Sequence, residues 1–579
     1  MTKDKRTDVP GGAAAPAEAS RAAEPDAAQL RVGVYVCNCG SNIAGFLDAK
    51  AVAEYARTLP NVVFVRENLF SCSEAGINDI RKGITENSLN RVVVAACTPR
   101  THEPTFRAAC AEAGLNPYYF EFVNIREHCS WVHKRDREAA TAKARDLIRM
   151  GVARAAWLEP LEPIVGDVAR LALVVGGGVS GMTAALGLAE RGFDVVLVER
   201  ERRLGGLLTE VDQIYPWRIK AKAYVSGLVA RVTRHPRIKV LASSQVTEVR
   251  GFIGKYEVSV SSLAEPVVAG VIVLATGARP LAGDGLYGYD GKRVITQLDL
   301  ERRLARPAVG ARNVVMIECA GARSRERIYC SRICCNVSIK NALRLKQKRV
   351  GSVTILYRDL MCYGAANEAI LREAKRAGVK FIKYSAARPP QLDRGKVRVT
   401  SDVLGEDMVL PYDLVVLSTP LVPAPTNQAL SRVLKVPVDE DGFFLEAHIK
   451  LRPLDFATDG IFVCGTARWP AAVEECVEQA LGAAARASTF LVAGHVKVEP
   501  AVSFISIDDC RGCGLCVALC PYGAIELVDT EQGKRAHTVE VACKGCGVCG
   551  STCYRRAITM KHFTDKQMAA QIRAAFTEE

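Results

Sequence analysis

The sequence contains no apolar run that approaches the roughly 20 residues a membrane-spanning helix requires. Residues 1–30 are rich in alanine, proline and glutamate but have no apolar core, so we expect a disordered tail there and not a signal peptide. With no export signal and 21 cysteines, the chain is expected in the cytoplasm. In that compartment clustered cysteines more often bind metal than form disulfides.

Eight of the cysteines form two runs near the C-terminus. They are Cys510, Cys513, Cys516 and Cys520, then Cys543, Cys546, Cys549 and Cys553. Such spacing is typical of a two-cluster ferredoxin, in which three thiolates bind one [4Fe-4S] cluster and the fourth crosses to the other. We therefore assign Cys510, Cys513, Cys516 and Cys553 to cluster I, and Cys520, Cys543, Cys546 and Cys549 to cluster II. Two zinc ribbons are the alternative, but zinc motifs use pairs of cysteines. The first run ends in Cys-Pro and the second in Cys553-Tyr554, a departure expected to loosen the turn.

The N-terminal region reads as a small α/β domain over residues 31–155. Residues 31–40 are predicted to form a buried strand that runs into a cysteine loop. Further strands are predicted at 62–65 and 91–96, with helices at 49–58 and 137–156. Cysteines 37, 39, 72 and 97 fall in this domain, several of them at strand ends. Three readings stand for them: ligands of a cluster, an added ligand for the cysteines near residue 319, or buried structural thiols. The role of Cys129 stays open.

A dinucleotide-binding fingerprint follows. The apolar strand 171–175 leads into Gly176-Gly-Gly178-Val-Ser-Gly181, a helix predicted at 182–191, and a strand at 194–198 that ends at Glu199. Gly176 makes the turn, Gly178 lets a pyrophosphate approach the backbone, and Gly181 lets the helix pack on the strand. Glu199 is expected to bind the adenosine ribose.

Three further segments favour FAD over NAD, because they are similar to those of glutathione and thioredoxin reductases. They are Gly205-Gly206, Ala275-Thr276-Gly277, and Asp459-Gly460 through Gly465 with the helix that contains Gln479. This similarity predicts an FAD domain over residues 165–495. The candidate FAD-binding residues are Gly176, Gly178, Ser180, Gly181, Glu199, Arg200, Gly205, Gly206, Thr276, Gly277, Gly465, Gln479 and Ala480.

Such reductases carry a second Rossmann unit for NAD(P)H. Its first strand is predicted at 313–317, but the glycine loop is absent: the chain continues Glu318-Cys319-Ala-Gly-Ala-Arg. A pyrophosphate therefore has no glycine cradle, which disfavours NAD(P)H. Four cysteines, Cys319, Cys330, Cys334 and Cys335, stand close together in sequence instead and are candidate ligands of a third cluster.

These residues carry a specific family resemblance. The segment from Glu318-Cys319 to Cys334-Cys335 and Lys340 resembles the A-type subunits of heterodisulfide reductase, as do Cys37-Asn-Cys39-Gly and Cys97-Thr-Pro-Arg-Thr-His102. The likeness extends from residue 31 to about 560. Many family members insert a second ferredoxin-like domain in the first flavin-binding segment, whereas residues 240–260 here run on without cysteine.

The resemblance implies an FAD- and iron–sulfur-containing oxidoreductase subunit that transfers electrons within a cytoplasmic hetero-oligomer. Its implied partners are B- and C-type subunits and a ferredoxin or another electron carrier, and self-association into a dimer is a further possibility. It also implies that Lys340 lies near the flavin and tunes it; the alternative is an ordinary surface lysine. The missing insertion leaves electron bifurcation and simple confluence of electrons both open.

The fold class predicted is α/β: an N-terminal α/β domain, a thioredoxin-reductase-like FAD domain and a C-terminal ferredoxin domain (500–560) of α+β type. A final amphipathic helix (561–579) is expected to dock on a partner subunit or on the ferredoxin domain. The formal charge of +14 does not predict nucleic-acid binding, because three clusters and FAD would contribute about −8. Two rivals remain, a non-catalytic scaffold and an NAD(P)H-dependent oxidoreductase similar to the glutamate synthase small subunit.

Overall fold

The structure is a computed structural model that describes residues 30–577. All of the expected disordered tail except residue 30 lies outside the described residues. Within residues 30–577, no helix is both long enough and apolar enough to cross a membrane.

The N-terminal part is a parallel four-stranded sheet with the order β2-β1-β3-β4. Strand β1 is buried at every residue, as expected when helices cover both faces of a parallel sheet. Because the strands are parallel, the loops that follow them meet at one edge of the sheet. The elements are β1 Val32–Cys37, α1 Ala49–Ala56, β2 Val62–Asn68, α2 Glu74–Glu86, β3 Arg91–Ala96, α3 Pro99–Glu112, β4 Phe120–Asn124 and α4 Arg137–Ala155.

The central part begins with a parallel five-stranded sheet of order β10-β7-β6-β14-β25. Helix α5 begins at Val179, three residues before the predicted start, because Gly178 is already its N-cap. The elements are β5 Ile164–Asp167, β6 Leu171–Val175, α5 Val179–Ala189, β7 Asp194–Val198, β8 Gln213–Ile214, β9 Ile219–Lys220, α6 Ala221–Arg234, β10 Ile238–Leu241, β11 Val246–Phe252, β12 Lys255–Val260, β13 Val267–Ala269, β14 Val271–Leu274 and β15 Ala278–Pro280.

A second parallel five-stranded sheet has the order β16-β23-β17-β18-β19. The chain then returns to the first sheet through β25, so the second sheet is an insertion into the first. The elements are β16 Val294–Thr296, α7 Gln297–Leu304, β17 Asn313–Ile317, α8 Cys334–Gln347, β18 Ser352–Tyr357, α9 Ala365–Arg376, β19 Lys380–Lys383, β20 Gln391–Asp393, β21 Lys396–Thr400, β22 Asp407–Pro411, β23 Leu414–Leu417, β24 Leu421–Pro423, α10 Asn427–Leu434, β25 Ile461–Val463, α11 Val473–Ala493 and β26 His495–Val498.

The C-terminal part repeats a short strand, a cysteine loop and a short helix. Strands β27 and β30 pair antiparallel, and β28 and β29 form a hairpin. The elements are β27 Ser503–Ile505, α12 Leu515–Leu519, β28 Ile525–Thr530, β29 Gly533–Thr538, α13 Val548–Thr552, β30 Ile558–Met560 and α14 Asp565–Ala575.

Helix α14 packs on α4 of the N-terminal part, and this corrects the expectation that it docks on the ferredoxin domain. Arg149 Nε donates to the Ala574 carbonyl at 2.8 Å, and Gln567 Nε2 donates to the Trp157 carbonyl at 3.0 Å. Gln567 and Ala574 are buried on this face. The helix therefore joins the two ends of the described chain.

Candidate flavin and iron–sulfur sites

The loop between β6 and α5 is built for a phosphate. A Cβ at Gly181 would lie 1.8 Å from the Gly176 carbonyl oxygen, and one at Gly176 (φ +108°) would lie 2.4 Å from the Ala275 oxygen. Those two positions require glycine for packing. A Cβ at Gly178 would meet no protein atom within 4 Å, so open space lies beside the N-terminus of α5. That space and the N-terminus of α5, which no side chain caps, fit a pyrophosphate.

This loop opens on a cavity of about 850 Å³, which is large enough for a dinucleotide. Nine of the thirteen candidate FAD residues line it: Gly176, Gly178, Ser180, Glu199, Arg200, Gly205, Gly206, Thr276 and Gly277. The other four candidates, Gly181, Gly465, Gln479 and Ala480, do not line the cavity. Instead, Gly465 N–H donates to Gln479 Oε1 at 3.0 Å, and Ala480 is fully buried. These three late residues therefore support the cavity wall from behind, and the late segment lines the cavity through Thr466, Ala471, Ala472, Val473 and Cys476 instead.

Glu199 lies at the cavity wall at the end of β7 and is 8% exposed. Its carboxylate accepts the Gly177 N–H at 2.6 Å and the Glu201 N–H at 2.8 Å. The backbone thus fixes an anionic group where the ribose hydroxyls of a bound adenosine are expected.

Lys340 also lines the cavity and is 4% exposed, which rules out the surface-lysine alternative. Its ammonium group pairs with the Glu301 carboxylate and donates to the Gln213 carbonyl at 2.9 Å. Burial lowers the pKa of Lys340, and Glu301 opposes that shift. The pair places an ammonium group and a carboxylate side by side on one cavity wall.

Glu301 and Tyr215 are functional candidates that the sequence analysis missed. The Tyr215 side chain lines the cavity and is 7% exposed, and its hydroxyl has no hydrogen-bond partner within residues 30–577. A buried, unpaired hydroxyl that faces a cavity is a natural partner for a ligand's polar atoms. Neither residue lies in a recognisable motif, because each reaches the cavity from a distant segment.

The cysteines of the second unit adjoin the same cavity. Cys319 follows β17 in a left-handed conformation (φ +60°), and Cys319, Cys330 and Cys334 lie within electrostatic range of one another. Cys335 is next to Cys334 but donates to the Asp359 carbonyl at 3.6 Å, and its other thiol neighbour is Cys362. Cys334 itself lines the cavity. Burial raises the pKa of the Cys319 thiol to about 11 and raises that of Cys334 further, so iron binding would displace protons here.

The two ferredoxin runs meet in two small depressions. Cys510, Cys513, Cys516 and Cys553 line one of them, and Cys520, Cys543, Cys546 and Cys549 line the other. Each set combines three cysteines of one run with one cysteine of the other run. The turn at Cys553 is not looser than its counterpart. Arg556 N–H donates to the Cys553 carbonyl at 2.9 Å, whereas Gly523 N–H donates to the Cys520 carbonyl at 3.2 Å.

The N-terminal cysteines 37, 39, 72 and 97 also converge. Cys37 ends β1, Cys97 follows β3, and Cys72 lies in the loop after β2. Both Cys72 and Cys97 are within electrostatic range of Cys37 and Cys39. Cys129 and Cys110 are fully buried away from solvent, in separate apolar clusters.

Comparison with known proteins decides the family. The family described as pyridine nucleotide-disulphide oxidoreductase matches residues 171–480, and the 4Fe-4S dicluster domain matches residues 509–557. The chain is 38% identical to the second A-type iron-sulfur subunit of the CoB–CoM heterodisulfide reductase of Methanopyrus kandleri, covering 95% of this chain and 99% of that protein. The chain belongs to the family of heterodisulfide reductase A-type subunits.

A second relative is the A-type subunit of the H2:CoB-CoM heterodisulfide, ferredoxin reductase of Methanothermobacter marburgensis, 36% identical over 95% of this chain and 98% of that protein. Among solved structures, thioredoxin reductase of T. acidophilum matches 56% of this chain and 100% of its own, at 18% identity and a TM-score of 0.41. The alignment to the Methanopyrus protein runs over 652 positions, more than the 579 residues here. This chain therefore lacks residues that its relative contains.

The family match and the two domain matches show that the chain is an oxidoreductase of α/β class. It combines an FAD domain of the pyridine nucleotide-disulphide oxidoreductase family with a C-terminal 4Fe-4S dicluster domain. The relatives are subunits of heterodisulfide reductases, and the family together with the two domain matches makes this chain an electron-transfer flavin and iron–sulfur subunit.

Proposed function

We propose that this chain relays electrons between its ferredoxin clusters, FAD and a partner subunit of a heterodisulfide-reductase-like complex in the cytoplasm. One observation carries the proposal: Cys334 and Lys340, both on α8, line the same cavity as the glycine loop of the first unit. A cluster held by the Cys319 group would therefore share a wall with the flavin. FAD, when bound, supplies the exchange between two-electron and one-electron transfer.

The residues of the cavity wall would position and polarise the flavin. Lys340 places positive charge at the wall, which stabilises negative charge on a bound ligand in a region of low dielectric. Glu301 keeps that ammonium group charged and oriented. The Tyr215 hydroxyl has no hydrogen-bond partner within residues 30–577, so it can bond to a polar atom of the flavin. These roles would set the potential of the flavin and leave bond making and breaking to other subunits.

The experiment that tests this proposal is the iron, acid-labile sulfide and flavin content of anaerobically purified protein. About twelve irons and one FAD per chain would support three clusters, including one at Cys319, Cys330, Cys334 and Cys335. About eight irons would leave only the ferredoxin pair and break the proposed route. About sixteen would add a fourth cluster at cysteines 37, 39, 72 and 97, whose convergence at one sheet edge supports that larger number.

The partners proposed are B- and C-type subunits on the side of the Cys319 group and an electron-carrier protein on the side of the ferredoxin domain. The names of the relatives motivate this, since they describe heterodisulfide and ferredoxin reductases. Without the inserted residues we favour confluence of electrons over bifurcation. In a reconstituted complex, confluence predicts that no second, low-potential acceptor is reduced while the disulfide substrate is turned over.

An NAD(P)H-dependent oxidoreductase is a second candidate, because the second five-stranded sheet is complete. Its first loop argues against it. The Glu318 carboxylate is fully buried where β17 ends and accepts the Ser418 hydroxyl at 2.7 Å, in the region where a dinucleotide-binding loop exposes glycine amides. We expect no bleaching of the flavin absorbance when excess NADH or NADPH is added anaerobically. Rapid bleaching would establish this rival instead.

A further inference from the structure

The two halves of the ferredoxin domain repeat one backbone in different surroundings. The loops Cys520-Pro521-Tyr522-Gly523 and Cys553-Tyr554-Arg555-Arg556 both close with a hydrogen bond from their fourth residue to their first. The fourth residue has positive φ in both, +62° at Gly523 and +54° at Arg556. Equivalent positions therefore allow the surroundings of cluster I and cluster II to be compared residue by residue.

The cluster II half faces the FAD domain. Lys544, between Cys543 and Cys546, pairs with Asp459 of the FAD domain at 2.7 Å. Tyr522 lines a small cavity together with Phe252 and Lys435 of that domain. This half is therefore a contact between two parts of the same chain, and electrons that move between cluster II and the flavin need not cross solvent.

The cluster I half faces outward. Its depression is lined only by residues 505–558, with no residue of the FAD or N-terminal parts. Cys513, a ligand of cluster I by the proposed assignment, is exposed, and so are its neighbours Leu515 (43%) and Tyr554 (68%). Arg555 stands where the other half has Tyr522, so a position that touches the FAD domain in one half carries a positive charge towards solvent in the other.

The charged residues that line this depression, Arg511 and Arg555, are both positive. We define the cluster I rim as Arg511, Cys513, Leu515, Tyr554, Arg555 and Arg556. All three arginines are exposed, and none forms an ion pair within the described residues. No carboxylate lines the depression: Asp509 turns back to accept from the Ser506 hydroxyl at 2.8 Å, and Asp508 accepts from Gln532 at 3.4 Å.

Unpaired arginines around an exposed apolar centre match the composition of a transient protein interface. Because Cys513 is exposed among these residues, a protein docked there would bring its redox group close to cluster I. From this juxtaposition we propose that the cluster I rim is the docking surface for an acidic electron-carrier protein. This rests on the proposed relay function and gives it a first step: carrier, then cluster I, then cluster II, then the flavin. Each encounter oxidises the carrier by one electron and reduces cluster I by one electron, with no proton or bond transferred.

The test uses the full-length holoprotein and a reduced, acidic two-cluster ferredoxin as donor, with cluster reduction followed by stopped-flow absorbance. The variant R511Q/R555Q/R556Q removes three positive charges from the rim. We expect its bimolecular rate to fall about tenfold at about 0.01 M ionic strength and to approach the wild-type rate at about 0.15 M, where screening shortens to about 8 Å. The matched control, R372Q/K375Q/R376Q, removes three exposed positive charges from the region of α9 and should change the rate less than twofold.

A second donor and a potential measurement separate the possible failures. Reduced methyl viologen, a small cation, should reduce the rim variant at least as fast as wild type, because the loss of positive charge lowers its repulsion. An equal loss in both triple variants, or in neither, overturns the docking surface. A second result would also overturn the docking surface: the rim variant shifts the midpoint potential of cluster I but keeps the salt dependence of the wild-type rate. The arginines would then only neutralise the charge of the cluster. Wild-type protein that viologen cannot reduce would instead contradict the relay function.

Discussion

The two five-stranded parallel sheets use the same position in a Rossmann unit for different chemistry. After β6 the chain makes a tight glycine turn and enters α5 at once, whereas after β17 it runs through a long cysteine loop before α8 begins. In the first unit a Cβ at Gly178 would project into empty space, and in the second a buried Glu318 carboxylate stands at the strand end. A phosphate fits the open space at the first position, whereas the second position has a buried carboxyl group and no glycine cradle.

This difference shows how a nucleotide-binding unit can change its ligand without changing its sheet. Each unit has a sheet of five parallel strands, so the two units differ in the loop after the strand and not in the sheet. The long loop brings Cys334 to the wall of the first unit's cavity. The second unit thus places a candidate cluster ligand at the wall of the proposed flavin cavity.

The largest effect is expected at the glycine turn. In G178V the new side chain fills the open space beside α5 without striking protein atoms, so the protein should fold but lose FAD completely. The measurement is flavin absorbance after denaturation, with circular dichroism to check folding. G227V is the matched control, since Gly227 also has open space and no positive φ. Retention of FAD by G178V would show that the pyrophosphate binds elsewhere. A complex that stays active without FAD would favour the scaffold alternative.

The cysteine loop should show the next largest effect. C319S removes one proposed ligand of the third cluster, and about four irons per chain should be lost while FAD stays bound. The control is C362S, because Cys362 is a buried neighbour of Cys335 outside the proposed ligand set. An unchanged iron content in C319S, or an equal loss in C362S, would refute the assignment of this cluster. Iron and sulfide analysis under anaerobic conditions measures both.

The contrast between the units also shows what sequence reasoning can reach. Apolar runs locate β6, β7 and β17 at their observed bounds, because strands buried on both faces of a parallel sheet are continuous runs of apolar residues. The glycine loop and the ferredoxin runs carry their ligands within a few residues. Tyr215 and Glu301 could not be found in this way, since each reaches the cavity through tertiary packing alone. The docking of α14 on α4 likewise depends on two surfaces far apart in the chain.

Replacement of Lys340, which α8 places at the cavity wall, should change the midpoint potential of the flavin without loss of FAD. In K340M the flavin midpoint potential is expected to fall by about 60 mV, a tenfold change for a one-electron couple, because reduced flavin loses a nearby positive charge. E301Q should shift the potential in the opposite direction, since it removes the negative charge that offsets the ammonium group. Spectroelectrochemical titration measures both variants. K340M/E301Q leaves no unpaired buried charge and serves as the control for misfolding. Equal flavin midpoint potentials in all variants would show that the Lys340–Glu301 pair has only a structural role.

The smallest effect is expected from a charge on the cysteine loop itself. The Arg323 guanidinium lies within electrostatic range of the Cys319 thiol and pairs with Asp359 at 2.8 Å, but it is 28% exposed and therefore partly screened by water. A positive charge beside a cluster ligand favours the reduced cluster, so R323Q should lower the midpoint potential of the third cluster by about 20 mV. R327Q is the matched control, because Arg327 lies on the same loop and pairs with Glu326 instead. EPR-monitored redox titration resolves the difference, and an equal shift in both variants would indicate general electrostatics of the loop. A shift only in R323Q would identify the second unit as the place where the potential of this cluster is set by the protein.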